Sequence, residues 1–428
     1  MSELLDVIQE HFPLSSPSHL INILSLMIQY LFNLVFRRGS GYLGAVSSLK
    51  ISQPKSVLII LRRYRGDVLL ALPLIASLKN EFTNIKIDLL INPQTEDIAL
   101  LLPYVRKIHV LREYYKFDSR ILRFCRILGL SIRFFRKYDL SINLTTNDAG
   151  AFLSWASATV SMSVCEVEKY KSWWKKMLLS YTYHYEKSMH TVTQSLKPLS
   201  YLKIEKNTKY TTLKIMPVEK KIKFFLRDHR LFLIFHPSTQ FNYKIMPQNV
   251  INRLLEGITE LNLPIIVTGG LSDVDIEISK NLPRHDLIHN FISKTTMSDL
   301  AYLTSGCIAY IGMDTFNMHL AALYKKRIFA IFGPTLPQMW APWTDDFSED
   351  MFAERKTIYR YGGVTIFQAD LPCVPCDRKG CNGLGISECL SFIAPQVVVA
   401  EVKKWLKSVS PSSKADYHNT YEGLEVTD

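Results

Sequence analysis

A carboxylate set among arginines is the first feature of this chain that could do chemistry. Arg62-Arg63-Tyr64-Arg65-Gly66-Asp67 runs directly into the apolar stretch VLLALPLIASLKN, so Asp67 stands where a strand gives way to a helix. An aspartate at a helix start is ordinarily an N-cap. Three cations beside it, in a loop that Gly66 lets turn tightly, shift the balance toward catalysis in a cleft, with Arg62 and Arg65 on the side of the substrate that Asp67 would act on. Further on, His236-Pro237-Ser238-Thr239 with Lys244 supplies hydroxyls and a point charge, the makings of a phosphate cradle. Thr268-Gly269-Gly270 ends another strand, where paired glycines allow close backbone approach to a ligand. Gly312-Met313-Asp314-Thr315-Phe316-Asn317-Met318-His319-Leu320-Ala321-Ala322 joins a strand to a helix. Its unpaired N–H groups and helix dipole face the strand's carboxyl end, a geometry that receives a diphosphate. Asp314 and Thr315 are expected to cap that helix while touching the ligand; His319 is either a ligand contact or a packing residue. Phe332-Gly333-Pro334-Thr335 falls on the same edge.

These residues need a scaffold that brings strand ends together. Residues 55–61, 85–91, 106–111 and 138–144 read as buried strands with helical stretches such as 68–80 between them. After a Lys-rich segment near 205–230, residues 231–236, 264–268, 286–290, 307–312 and 327–332 form a second series. Apolar strands alternating with helices predict parallel α/β sheets, which take ligands outside the carboxyl ends of their strands. A chain of 428 residues suits two domains. The expected fold class is α/β, two Rossmann-like domains facing a central cleft. Residues 1–50 form an N-terminal helical extension, 51–215 the acceptor-binding domain, 225–405 the donor-binding domain with a closing helix at 395–407, and 408–428 a polar tail. No G-x-G-x-x-G follows the first strand of either series, which disfavours a nicotinamide dehydrogenase.

The net charge of +12 suits a phosphate-bearing partner or an anionic membrane. Residues 112–137 carry eight basic side chains (Arg112, Lys116, Arg120, Arg123, Arg126, Arg133, Arg136, Lys137), and KYKSWWKKMLLSYTYHYEK follows at 169–187. Such mixtures can serve nucleic acid, but their place in the acceptor domain favours membrane headgroups and phosphorylated sugars, and no nucleic acid is expected. A solvated helix face is the competing reading for 112–137. Residues 20–36, LINILSLMIQYLFNLVF, fall short of the about 20 that a span needs. With a polar stripe of Asn22, Ser25, Gln29 and Asn33, they read as a helix lying in the membrane plane or docked on the protein. The start, MSELLDVIQEHF, lacks a basic n-region, so a location inside the cell is expected. Cys125, Cys165 and Cys307 sit singly in apolar surroundings and read as small buried hydrophobes. Cys373, Cys376, Cys381 and Cys389 are spaced C-x₂-C-x₄-C-x₇-C. Four thiolates could hold zinc or iron, yet structural zinc usually pairs two short knuckles and one is present. That cluster stays open, and no metal is assigned to the candidate site.

RYRGDVLLALP, HPST with Lys244, VTGG, IGMDTFNMHLAA and FGPTLPQMWAPW, in this order over roughly residues 55–405, resemble the lipopolysaccharide heptosyltransferase family, glycosyltransferase family 9. The resemblance implies a GT-B fold and transfer of heptose from ADP-heptose to a lipid A-core oligosaccharide, with inversion and without a cofactor or metal. It implies Asp67 as general base, Lys244 near the donor phosphates, and Gly312, Asp314, Thr315 and His319 in the donor-binding segment. Thr239 and Gly269 fall on the same donor side. Ser238 stands where the family commonly has Gly, Asn317 where it has Pro, and Ala71-Leu72 in place of two threonines. Two other readings remain: the same fold acting on a protein or with another nucleotide sugar, and a silent membrane-associated scaffold, against which Asp67 and Lys244 argue.

Overall fold

The computed structural model describes residues 53–111, 120–166, 173–206, 212–214 and 216–408. The expected extension 1–50 with its helix at 20–36, the basic residues 112–119, the start of the 169–187 stretch and the tail from 409 lie outside the described residues.

The first domain is a six-stranded sheet of β1 (Ser56–Leu61), β2 (Lys86–Ile91), β3 (Val105–Val110), β4 (Tyr138–Asn143), β5 (Ala158–Cys165) and β6 (Tyr181–His184). Its order is β3-β2-β1-β4-β5-β6, parallel throughout. Val57 to Leu61 are at most 1% exposed, because a strand covered on both faces is apolar at every position instead of every second one. The second sheet holds β7 (Leu233–His236), β8 (Ile265–Val267), β9 (Ile288–Asn290), β10 (Ala309–Met313), β11 (Arg327–Ile331), β12 (Ile358–Tyr361) and β13 (Val364–Phe367). Its order is β12-β13-β11-β10-β7-β8-β9, parallel except for the β12–β13 hairpin.

Four of these strands were not expected. β5 is interrupted by Ser161 and Ser163, both buried, and each hydroxyl finds a partner; Ser163, for instance, accepts from Asn143 Nδ2 at 2.8 Å. β6 lies inside the basic-aromatic stretch 169–187, so that part is an edge strand of the sheet. β12 and β13 are four residues each, too short to carry a period. The single helix expected over 68–80 is two, Arg65–Leu70 and Leu72–Glu81, parted at Ala71. Pro73 sits in the first turn of the second, where its missing N–H is harmless.

Both sheets belong to one unit, Pro54–Asp428. In each, the strand order reverses once, between β1 and β4 and between β7 and β10. A crevice opens at such a reversal, beyond the carboxyl ends of the two strands. The candidate residues gather at these two crevices. The closing helix, Pro395–Ser408, packs on Gln248–Thr259, where a Cβ on Gly257 would come within 2.7 Å of Val399.

Candidate active site

Asp67 is the third residue of its helix and is 6% exposed. Oδ2 accepts the Tyr64 backbone N–H at 3.3 Å, so half of the carboxylate does serve the helix start. Oδ1 lies 3.2 Å from Arg63 Nε, yet accepts no aligned hydrogen bond although buried. Buried polar atoms in that state are uncommon and costly. The arginine meeting the Asp67 carboxylate is therefore Arg63. Arg65, expected on the acceptor side, forks onto Asp97 with contacts of 2.8 to 3.2 Å in an exposed pair. Arg62 is partly buried just past β1. Asp67 raises the Arg63 guanidinium above its ordinary range, and burial works against it. Arg63 also lies 6.0 Å from the centre of the Tyr185 ring. Burial lifts the Tyr185 phenol, with Arg63 pulling the other way.

The second crevice is knitted together. Lys244 Nζ meets Asp314 Oδ2 at 2.7 Å, and the Thr335 hydroxyl donates to the same oxygen at 2.7 Å. Gln368 reaches in from the end of β13, its Nε2 donating to the Gly333 and Thr335 carbonyls at 3.3 and 3.4 Å. His236 Nδ1 receives Asn317 Nδ2 at 2.7 Å and the Thr268 hydroxyl at 2.8 Å, which places its proton on Nε2. Burial pushes His236 down to about 4. Asn317 thus departs from the family pattern with a function of its own. Ser238 does the same, donating to Asp275. Burial pushes the Asp275 carboxyl up, but Ser238, Ser272 and the Gly270 and Ser272 amides outweigh it and hold it below the usual range. His319 is 3% exposed, its Nδ1 lacks a hydrogen bond, and burial drives it down to about 4. It is neutral at physiological pH.

Four expectations change. Thr315 occupies the N-cap position of Phe316–Leu323 without making a cap bond, and Asp314 is engaged by Lys244 and Thr335, so neither side chain caps that helix. Thr239 closes its own turn, donating to the Phe241 carbonyl at 2.8 Å and accepting from Phe241 N–H at 3.1 Å. The space over Gly269 and Gly270 is filled by the Asp275 carboxylate, 2.9 and 3.0 Å from where a Cβ would stand, so the close approach there is internal. Gly312 is required by strand packing: its Cβ would be 2.4 Å from the His236 carbonyl.

The two crevices face each other. The Asp67 helix packs against Phe316–Leu323, and a Cβ on Gly66 would stand 3.6 Å from His319 Cδ2. Tyr64 meets Phe241 edge-on at 5.2 Å, and Phe241 stacks on Tyr243. Tyr185 Oη reaches Met339 Sδ at 3.7 Å, and Lys187 reaches Asp377 at 3.4 Å. His190 anchors the same seam. Its Nδ1 accepts from Val192 N–H, so Nε2 carries the proton that goes to the Ala341 carbonyl at 2.9 Å. Arg63, Tyr185, Thr335, Asp275 and Gln368 were not assigned from the sequence. Arg63 had the clearest signal, four residues before Asp67; the others are brought in from distant strand ends.

Among the described residues, no three His, Cys, Asp or Glu side chains are gathered as a metal site. The C-terminal cysteines are unpaired, and burial and then the other three thiols push Cys389 up to about 12. Cys165 and Cys307 are buried as expected, whereas Cys125 is exposed on the outer face of its helix. No described helix is long and apolar enough to cross a membrane.

Two parallel-sheet α/β domains, each presenting its reversal point to one shared cleft, define the GT-B fold. The family model for glycosyltransferase family 9 (heptosyltransferase) matches residues 131–354. Lipopolysaccharide heptosyltransferase 3 of Escherichia coli (strain K12) is 26% identical over 300 residues, 66% of this chain and 84% of that one. Lipooligosaccharide heptosyltransferase 2 of Haemophilus influenzae is 24% identical over 371 residues, 82% of this chain and 99% of that one. The solved E. coli ADP-heptose lps heptosyltransferase II has a TM-score of 0.58 at 16% identity, covering 82% of this chain and 99% of that one. The chain belongs to glycosyltransferase family 9 and is a glycosyltransferase enzyme.

Proposed function

We propose that this enzyme moves heptose from ADP-heptose to a lipopolysaccharide inner-core acceptor, with inversion, at the cytoplasmic face of the inner membrane. The domain of residues 51–215 binds the acceptor and that of 225–405 the donor. The observation that carries this reading is the buried Asp67 Oδ1, which accepts no aligned hydrogen bond where its helix meets the donor-domain helix. Such an oxygen is ready to accept the proton of an incoming hydroxyl. The names of the relatives, lipopolysaccharide and lipooligosaccharide heptosyltransferases and an ADP-heptose enzyme, support the donor and acceptor.

In the reaction the acceptor oxygen attacks C1 of the heptose and its proton passes to Asp67. The bond from C1 to the phosphate oxygen breaks, and ADP leaves with the electron pair. The charge gathering on the diphosphate is offset by Lys244 and by the amides that open Phe316–Leu323. His319 adds an uncharged ring nitrogen beside that helix start. Because the diphosphate departs unprotonated, one carboxylate suffices, unlike the paired carboxylates of glycosidases.

The test is release of ADP from ADP-heptose in the presence of lipopolysaccharide truncated before its core heptoses. Transfer to the truncated acceptor is expected. Turnover with a different nucleotide sugar, or with a protein acceptor alone, would move the enzyme to another substrate. Absence of turnover with every nucleotide sugar would favour the scaffold.

A further inference from the structure

Arg63 opens the RYRGD segment but was given no role of its own there, and it is the cation nearest the base, with Nε 3.2 Å from Asp67 Oδ1. It is also clamped from behind. Tyr185 follows β6 and lies with its ring 6.0 Å from the guanidinium, while its hydroxyl reaches Met339 Sδ in the donor domain at 3.7 Å. Tyr185 is therefore a bridge: one side touches the arginine that holds the base, the other touches the domain that holds the donor. Resting on the assignment of Asp67 as base, we propose that Arg63 is a positioning residue that keeps the Asp67 carboxylate aimed. Tyr185 couples its placement to the seating of the donor domain.

An unclamped carboxylate with one oxygen on the Tyr64 amide could rotate and lose its aim. Arg63 restricts that rotation without an aligned hydrogen bond to Oδ1, so the oxygen keeps its capacity for the substrate proton. The titratable and charged groups on the described elements packed around the Asp67 helix are Lys79, Glu81, Glu96, Asp97, His190, Lys197, Tyr201 and His319, with Tyr64, Arg65 and Tyr185 beside it. Burial pushes His190 down to about 3 and His319 to about 4, so neither changes charge between pH 5 and 9.

The experiment is steady-state kinetics from about pH 5 to 9 on the full chain, with ADP-heptose and truncated lipopolysaccharide, for Arg63→Met, Arg63→Lys, Tyr185→Phe and Tyr185→Leu. Arg63→Met is expected to lower kcat about 10- to 100-fold and leave KM for ADP-heptose within about twofold. Arg63→Lys should recover most of kcat. Tyr185→Phe keeps the ring against Arg63 and is expected to lose about twofold, whereas Tyr185→Leu loses about tenfold. An Arg63→Met whose loss appears only in acceptor KM or in melting temperature, with kcat unchanged, overturns the proposal, as does an Arg63→Lys no faster than Arg63→Met. Should Arg63→Met not fold, wild-type kcat in Tyr185→Leu would overturn it equally. Asp67→Asn separates the two levels: full activity there means that the base assignment has failed, while an inactive Asp67→Asn beside an Arg63→Met of wild-type kcat removes only the role of Arg63.

Discussion

Asp314 and Asp67 both follow the carboxyl end of a strand at the reversal point of a sheet, and both are buried. Their surroundings differ. One oxygen of Asp314 is held by Lys244 and Thr335, each at 2.7 Å, inside a lattice that runs on to Gln368. Asp67 has one oxygen on a backbone amide and the other beside a guanidinium without an aligned hydrogen bond. A saturated carboxylate fixes geometry, because each of its partners would be left buried and unpaired if it moved. An under-satisfied one retains chemistry. The crevice around Asp314 is thus a prebuilt electrostatic frame, and the one around Asp67 keeps a buried carboxylate oxygen without an aligned partner.

The contrast breaks most directly at Asp67. Asp67→Asn preserves an acceptor for the Tyr64 amide but removes the basic oxygen, so turnover should fall by about a hundred- to ten-thousand-fold with circular dichroism unchanged. Turnover close to wild type would make Asp67 a cap residue only. Next comes Lys244→Met, which leaves Asp314 with a single donor and the departing diphosphate without its cation. Single-turnover rates should drop about 100- to 1000-fold, with Lys244→Arg intermediate; equal rates for all three forms would break the idea of a prebuilt frame.

A third carboxylate sharpens the comparison away from the cleft. Asp88, within β2, accepts from Arg106 at 2.6 and 2.9 Å and from Tyr138 at 2.8 Å, with His109 3.5 Å away. Burial alone would push its carboxyl up; hydrogen bonds from His109, Arg106 and Tyr138 outweigh that and hold it well below the usual range. Because the folded-state value is depressed, its stabilisation is present above the unfolded value of about 3.9 and is lost as pH falls below it. Asp88→Asn should cost about 1–3 kcal/mol at pH 7 and progressively less toward pH 3 in denaturant titrations, with activity per folded molecule preserved. A cost that does not depend on pH would separate Asp88 from the saturated class. The smallest effect belongs to Thr239→Ala. Its hydroxyl is already committed to the Phe241 turn, so KM for ADP-heptose should stay within about twofold, and only about 0.5–1.5 kcal/mol of stability should be lost. A tenfold rise in KM would return Thr239 to the donor site.

Much of the frame was legible in advance. β1, β2, β10 and β11 are largely apolar runs that stand out, β4 alternates Tyr138, Leu140 and Ile142 with polar residues, and the motifs that follow β1, β10 and β11 mark the ligand-facing ends. β5, with serines buried by partners elsewhere in the sheet, and β12 and β13, only four residues each, gave no such signal. The departures at Ser238 and Asn317 were visible as departures, but their purpose appears only when Asp275 and His236 are placed beside them.

Local chemistry is what the sequence determined: which strand ends carry a carboxylate, a lysine or a helix start, and in what order. A strand end is recognisable because hydrophobic period, glycine and charge change within a few residues. Partnership between those ends was decided by tertiary structure alone. Arg65 and Arg63 are two residues apart and alike in type, yet one forks onto exposed Asp97 and the other meets Asp67. Which is which depends on where helix Glu96–Leu101 and the end of β6 come to lie, and on burial, which sets how strongly a charge is felt. Asp67 could be read as cap or base from its position. Only the packed crevice shows that one oxygen serves the helix start while the other accepts no aligned hydrogen bond.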